Sequence, residues 1–426
     1  MQRRVVITGL GVVAPNGIGK ENFWKACISG RSGIRRVTRF DASPLSSQIA
    51  GEVPNFNPEA LGLTKEEWTT QDRGTQFSIA AANLALQDAG LFNALSDEER
   101  DRSGVYMGTA IASMETGEKL WLLLTNQGTQ SWEESGGIGI PASLRMTNAP
   151  ASAVATHHQF HGPCTAIATG CSAGADAIGQ AFWAVQEGRA DRMLAGGADS
   201  AITYAVMDVF CVVGAMSKRN EEPQRASRPY DRDRDGFIMA EGAGILLLEE
   251  REVALARNAH IYAEVIVFNS NINAHHMTTL PTDGAPLQQL LKHTLREAGI
   301  TPAQLDYINS HGSSTPPNEA AETAAYKGAF GEQAYHIPIS STKSMIGHSQ
   351  GAASAIEAIA TTLTIENQVI HPTVNQENPD PNCDLDYVPN IARPAVVNVA
   401  LSHSSGFGGV NSALVLARPH WLDQQR

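Results

Sequence analysis

Ile167-Ala168-Thr169-Gly170-Cys171-Ser172-Ala173-Gly174-Ala175-Asp176-Ala177-Ile178-Gly179 runs from a strand-like stretch, through a glycine and a cysteine, into a helix of small residues. A strand that hands over to a helix within one turn is the unit from which α/β folds are built. The same turn puts a thiol at a helix N-terminus, where the dipole and the free N–H groups favour thiolate. Those N–H groups can also hold a developing oxyanion. A cysteine packed in a core is the alternative reading of Cys171 taken alone.

On both sides of this segment, short apolar runs alternate with longer amphipathic ones, which extends the α/β reading to the whole chain. Strands are expected at 5–8, 103–108, 192–197, 244–249, 262–269, 305–309, 337–340 and 412–417. Helices are expected at 76–89, 172–187, 286–298, 319–330 and 351–366. In the first of these Phe77, Ala80, Ala81, Leu84 and Ala85 form one stripe at three- and four-residue steps. A charged, Ala-rich segment at 250–260 marks a seam, which divides the chain into halves at 1–258 and 259–426. Asp88-Ala89-Gly90-Leu91 in one half echoes Glu297-Ala298-Gly299-Ile300 in the other, as an internal duplication would.

Two further segments repeat the pattern of a reactive side chain at the end of a strand. Tyr307-Ile308-Asn309-Ser310-His311-Gly312-Ser313-Ser314-Thr315-Pro316 places a histidine where a strand gives way to a hydroxyl-rich loop. Ser340-Ser341-Thr342-Lys343-Ser344-Met345-Ile346-Gly347-His348-Ser349-Gln350-Gly351 sets a lysine and a histidine before an Ala-rich helix. Either histidine alone reads equally as a turn or capping residue. Three such groups at strand ends are a different matter, because in α/β folds those ends gather where sites are built. Ser404-Ser405-Gly406-Phe407-Gly408-Gly409-Val410-Asn411 adds a glycine-rich loop, or a tight turn, before the last strand. It precedes a strand rather than a helix and lacks GxGxxG spacing, so it is not a dinucleotide motif.

Composition narrows the function classes. The chain has 426 residues, 42% hydrophobic and 18% charged, which suits a large well-buried enzyme rather than a disordered chain. A net charge of −13 argues against nucleic-acid binding. No segment reaches the roughly 20 apolar residues of a membrane span; the longest candidate, 206–216, carries Asp208. Five scattered cysteines without a CxxC pair point to neither a disulfide framework nor a zinc site. The expectation is a cytoplasmic enzyme with reduced thiols, in which Cys164 packs into the core.

The four segments, in this order and spacing, together with Arg228-Pro229-Tyr230-Asp231-Arg232-Asp233-Arg234-Asp235-Gly236-Phe237, resemble the β-ketoacyl-[acyl-carrier-protein] synthases of the thiolase-like superfamily. The resemblance implies an α/β fold of two duplicated βαβαβ-type halves in a layered αβαβα arrangement. The N-terminal half would carry the nucleophilic cysteine and the C-terminal half both catalytic histidines. It implies that Cys171 accepts the acyl group and that His311 and His348 assist decarboxylation. Lys343 matches the family's buried lysine and Glu357 its ion-pair partner. Phe407 matches the gating phenylalanine, with Gly408 beside it, and Ser313 and Thr315 match hydroxyls that contact the pantetheine arm. The backbone N–H groups of Cys171 and Phe407 would form the oxyanion hole. The resemblance implies no metal and no bound cofactor, only phosphopantetheine thioesters delivered on acyl carrier protein.

Departures within the family point to a subtype. Elongating fatty-acid synthases carry Asn and Phe where this chain has His403 and Ser405. Asn273-Ala274-His275-His276-Met277-Thr278, Glu322-Thr323-Ala324-Ala325-Tyr326-Lys327 and the segment 380–388 resemble ketosynthase-alpha subunits of type II polyketide synthases. That reading implies a heterodimer with a chain-length factor; fatty-acid elongation implies a homodimer. A non-catalytic scaffold subunit is the alternative of another class. For carrier docking the candidates are Lys218-Arg219 and, after it, Arg35-Arg36.

Overall fold

The computed structural model describes residues 3–112, 117, 122, 126–127, 129–131 and 146–424. Strand β1 (Val5–Ala14) is buried along its whole length and is longer than the apolar run 5–8 suggests. Its continuation rests on small residues. A Cβ on Gly11 would lie 1.8 Å from the Ala81 carbonyl oxygen, so the bare backbone lets the first long helix, α1 (Arg73–Asp88), pack directly on the strand. Asp72 starts that helix by accepting the Gly74 N–H at 2.9 Å.

The remaining strands of the first half are β2 (Ser103–Gly108), β3 (Cys164–Ile167), β4 (Arg192–Ser200) and β5 (Glu241–Glu250). The second half supplies β6 (Ala263–Ile272), β7 (Tyr307–Asn309), β8 (Ile339–Ser340), β9 (Val399–Ser405) and β10 (Val410–Ala417). The sheet runs β8-β7-β9-β10-β6-β1-β5-β4-β2-β3. Read outward from its centre, each half gives the same series of partners. β2 is parallel to both β3 and β4, as β7 is to both β8 and β9. β4–β5 and β5–β1 are antiparallel, as are β9–β10 and β10–β6. The halves join through a short antiparallel pairing in which Val5 faces Val265.

Helices complete the layers. α2 (Ala173–Gln186) follows β3 and α6 (Ala353–Asn367) follows β8; they pack on each other and between the two half-sheets. α1 covers the outer face of the first half, and α4 (Ala285–Ala298) with α5 (Pro316–Phe330) covers that of the second. The order helix, sheet, helix, sheet, helix is the layered arrangement that the resemblance implied. Core apolar side chains such as Leu246, Leu247 and Leu248 are 0% exposed, each contributing about 1.5–3 kcal/mol.

The expected strands and helices are present, and several elements are additional, three of them among the longer ones. β9 was read as part of a loop, helix α3 (Tyr204–Val213) only as an apolar run, and the helix Ala149–His158 not at all. Cys164 corrects another expectation: it is exposed on β3, the outermost strand of the first half, rather than packed in the core. Near the seam, Arg4 makes two hydrogen bonds of 2.6 Å to Glu264 and also reaches Asp423. The Arg251 N–H donates to the Arg4 carbonyl at 2.9 Å, and its guanidinium lies 3.3 Å from Asp423. No described helix is long and apolar enough to cross a membrane.

Candidate active site

Cys171, His311 and His348 come from strand ends on both halves and line one cavity of about 260 Å³. Cys171 lies in a 3₁₀ turn, Gly170–Ser172, that leads directly into α2. Gly170 takes φ +62°, a conformation that costs glycine little and that turns the chain from strand to helix. The turn is clamped from the second half. Ser404 Oγ donates to the Cys171 carbonyl at 3.2 Å, and Ser172 Oγ lies 3.2 Å from the Val410 carbonyl. The loop between β9 and β10 therefore lies directly on the cysteine. A Cβ at Gly406 would stand 3.0 Å from the Cys171 backbone nitrogen. The Phe407 N–H donates to the Cys171 sulfur.

Hydrogen bonding fixes the tautomer of both histidines. His348 Nδ1 accepts the Gln350 N–H at 3.1 Å, which leaves the ring proton on Nε2. His311 Nδ1 faces Lys343 Nζ at 3.3 Å; the lysine can only donate, so here too Nε2 carries the proton. Ser404 Oγ lies 3.3 Å from the same nitrogen. The two rings are 5.3 Å apart at 78° and present two N–H donors to the cavity. Burial, and then the Lys343 charge, hold both imidazoles well below their usual pKa and hence neutral.

Lys343 and Glu357 form an ion pair with each side chain only 1% exposed. The lysine also donates to the His311 carbonyl at 2.7 Å. This pair stands behind the histidines rather than in the cavity wall. Ser313 and Thr315 do line the cavity, with their hydroxyls 2.9 Å apart. Phe407 is 40% exposed at the wall, and its ring lies parallel to that of Phe210 at 6.0 Å. Gly408 does not line the cavity; its N–H donates to the Met277 carbonyl at 2.7 Å.

The expectation of a resting thiolate is reversed. Burial pushes the Cys171 thiol up to about 11, and the Lys343 charge and the Phe407 N–H offset only part of that. Three contributors escaped the sequence reading. Ser404 grips the Cys171 carbonyl and lies beside His311, and Phe237 meets the His348 ring edge-on at 5.5 Å. Gly406 admits the loop to the cysteine. All three sit inside the quoted segments, so their position was a signal, but their partners lie far away in the chain. Among the described residues no group of three or more His, Cys, Asp or Glu side chains is placed to hold a metal ion.

Comparison with known proteins covers both halves of the chain. The β-ketoacyl synthase N-terminal domain matches residues 2–254 and its C-terminal domain matches residues 262–377. The tetracenomycin polyketide synthase ketoacyl synthase alpha subunit of Streptomyces glaucescens is 43% identical over 98% of both chains. A 3-oxoacyl-[acyl-carrier-protein] synthase 2 from Synechocystis is 41% identical over 98% of both. Among solved structures, a ketosynthase bound to a type II polyketide acyl-carrier protein superimposes with a TM-score of 0.90 at 39% identity, covering 98% of this chain and 100% of that one. With both domains matched in order and the fold shared along its length, the chain belongs to the β-ketoacyl synthase family.

Proposed function

We propose that this condensing enzyme is the ketosynthase-alpha subunit of a type II polyketide synthase. The observation that carries its chemistry is one thiol and two fixed Nε2–H donors facing the same cavity. An acyl group passes from a carrier thioester to Cys171, releasing the carrier thiol. A malonyl thioester then enters, and His311 and His348 donate hydrogen bonds to its carbonyl oxygen. Loss of CO2 leaves an enolate held by those donors, which forms a carbon–carbon bond to the Cys171 acyl carbon. The backbone N–H groups of Cys171 and Phe407 receive the oxyanion, and Cys171 departs as the tetrahedral intermediate collapses. Losing one such donor costs about 3 kcal/mol of barrier stabilisation. Lys343 and Glu357 hold the His311 ring, and Phe407 controls entry to the cavity, with Gly408 setting its loop. Ser313 and Thr315 meet the pantetheine arm.

The polyketide subtype is supported by the wall beside Phe407. Ser405 lines the main cavity and a smaller side chamber shared with Asn273, Asn411 and Glu322. A wall of hydroxyl, amide and carboxyl groups suits a chain that keeps its keto oxygens. The partners are then acyl carrier protein and a chain-length factor, in the cytoplasm. One described relative is a ketosynthase/chain length factor pair, at a TM-score of 0.88 and 32% identity. Fatty-acid elongation as a homodimer is the second reading, favoured by the 41% identity to the Synechocystis synthase. For carrier docking, Lys218 is exposed, whereas Arg219 stands 3.8 Å from Asp235 and Arg36 is 2.9 Å from Glu221.

Intact-mass measurement of parent and Cys171→Ala protein, incubated with acyl- and malonyl-loaded carrier, tests the proposal. The acyl adduct should appear on the parent alone, and repeated extension only when a chain-length factor is supplied. Extension without that partner would favour fatty-acid elongation. No adduct under any condition would return the scaffold reading.

A further inference from the structure

Asp199, at the end of β4, is 1% exposed, and its carboxylate is saturated with donors. It accepts Thr109 Oγ1 at 2.7 Å, the Ala110 N–H at 2.8 Å, and the Ile111 and Ala112 N–H groups at 3.2 Å. Its fifth donor comes from the other half of the molecule: the Gly351 N–H at 2.7 Å. Gly351 belongs to the 3₁₀ turn Gln350–Ala352 that opens α6, where the helix dipole also favours a negative charge.

The residue before it explains what this bond could hold. Gln350 has φ +51°, a left-handed conformation that residues with a Cβ seldom adopt unless their surroundings impose it. Its own N–H points to His348 Nδ1 at 3.1 Å, and the next N–H along the chain points to Asp199. Two successive amides are thus pinned on either side of one strained residue. The second half shows the matching device, since Ser404 near the end of β9 grips the Cys171 turn that opens α2. Each half fastens the start of the other half's inner helix.

We propose that Asp199 is a positioning residue for His348: by holding the Gly351 N–H it keeps Gln350 left-handed, the Gln350 N–H on Nδ1, and the ring proton on Nε2. This rests on the reading of His348 as a donor to the malonyl thioester. The carboxylate touches no reacting atom, and its hold on His348 passes through the Gln350–Gly351 peptide. Its charge also raises the Cys171 thiol, so neutralising it should slow decarboxylation without slowing the transfer of an acyl group to Cys171.

The experiment compares the parent with Asp199→Asn and Asp199→Glu by two kinds of measurement. The first is the ¹⁵N chemical shifts of the His348 ring. The parent should show an unprotonated Nδ1 and a protonated Nε2, Asp199→Asn averaged shifts, and Asp199→Glu shifts close to the parent's. The second is a comparison of partial reactions. In Asp199→Asn, CO2 release from malonyl thioester should fall more than about tenfold, as for a misplaced donor. Acylation of Cys171, followed by mass, should not fall by more than about twofold. Unchanged ring shifts in folded Asp199→Asn, or equal losses in both reactions, would overturn the proposal. Should that variant not fold, the double variant Asp199→Asn with Gln350→Gly decides, because glycine holds the left-handed conformation without the carboxylate. His348 shifts close to the parent's are expected there, and averaged shifts would overturn the proposal. A parent that releases no CO2 strikes at the functional reading instead, and the ring shifts alone then decide the role of Asp199.

Discussion

Burial raises the Cys171 thiol to about 11, while the Lys343 charge and the Phe407 N–H pull it down. The start of α2 acts in the same sense as those two. Only a small fraction is thiolate at neutral pH, so any reaction limited by that fraction gains about tenfold per pH unit. Alkylation of Cys171 by iodoacetamide should therefore rise steadily from pH 7 to 9 with no plateau. A plateau near pH 7 would show that the helix start outweighs burial. The histidines behave oppositely, because their pKa values lie well below the usual 6.5 and protonation would remove the acceptor at Nδ1. Decarboxylation of malonyl thioester should accordingly be flat across the same pH range. A slope there would mean that an imidazole titrates.

At the scale of elements, the site depends on how closely α2 and α6 approach. A Cβ on Gly174 would stand 2.8 Å from the Ala355 Cβ and 2.9 Å from the Gly351 carbonyl oxygen. Gly174→Ala should destabilise the protein by about 1–3 kcal/mol, the usual cost of overpacking. It should also slow condensation, because the helix starts that carry Cys171 and follow His348 are pushed apart. Adding Ala355→Gly removes one of the two clashing Cβ atoms and should recover part of both losses. Denaturation midpoints and condensation rates of the two variants check this, and independent, additive effects would count against it. The same closeness explains what the sequence did and did not reveal. Cys171, His311 and His348 were legible because each ends a strand in a motif of small and polar residues. β9 was not, because Ser402, His403, Ser404 and Ser405 make a buried strand look like a surface loop. Those polar groups are inside because they are satisfied: His403 meets Tyr326 Oη and Ser405 Oγ at 3.0 Å each. Ser404 acts on a residue 233 positions away, and Asp199 on one 152 positions away. No local pattern in one sequence carries such a pairing. The thiol's protonation state was misread for a related reason, since a helix start is visible in sequence and its burial is not.

Across the whole molecule, neither half-sheet has an inner covering without both α2 and α6, so the two proposed halves, 1–258 and 259–426, share one interior. The contacts of Arg4 with Glu264 and Asp423, and of Arg251 with both Arg4 and Asp423, bring residues 4, 251 and 423 to one spot on the surface. The order in which a ribosome makes the two halves is then a matter of wiring rather than of architecture. A gene rearranged to begin at residue 259, run to its present end, pass through a short flexible linker and finish at 258 would encode the same three-dimensional object. Opening the chain there costs the bond from the Ala259 N–H to the Ala254 carbonyl, 3.0 Å long, and exposed loop positions are where such permutation succeeds. The permuted protein should fold and acylate Cys171 at a rate close to the parent's. Failure to fold would mean that the first half must be complete before the second can find its place.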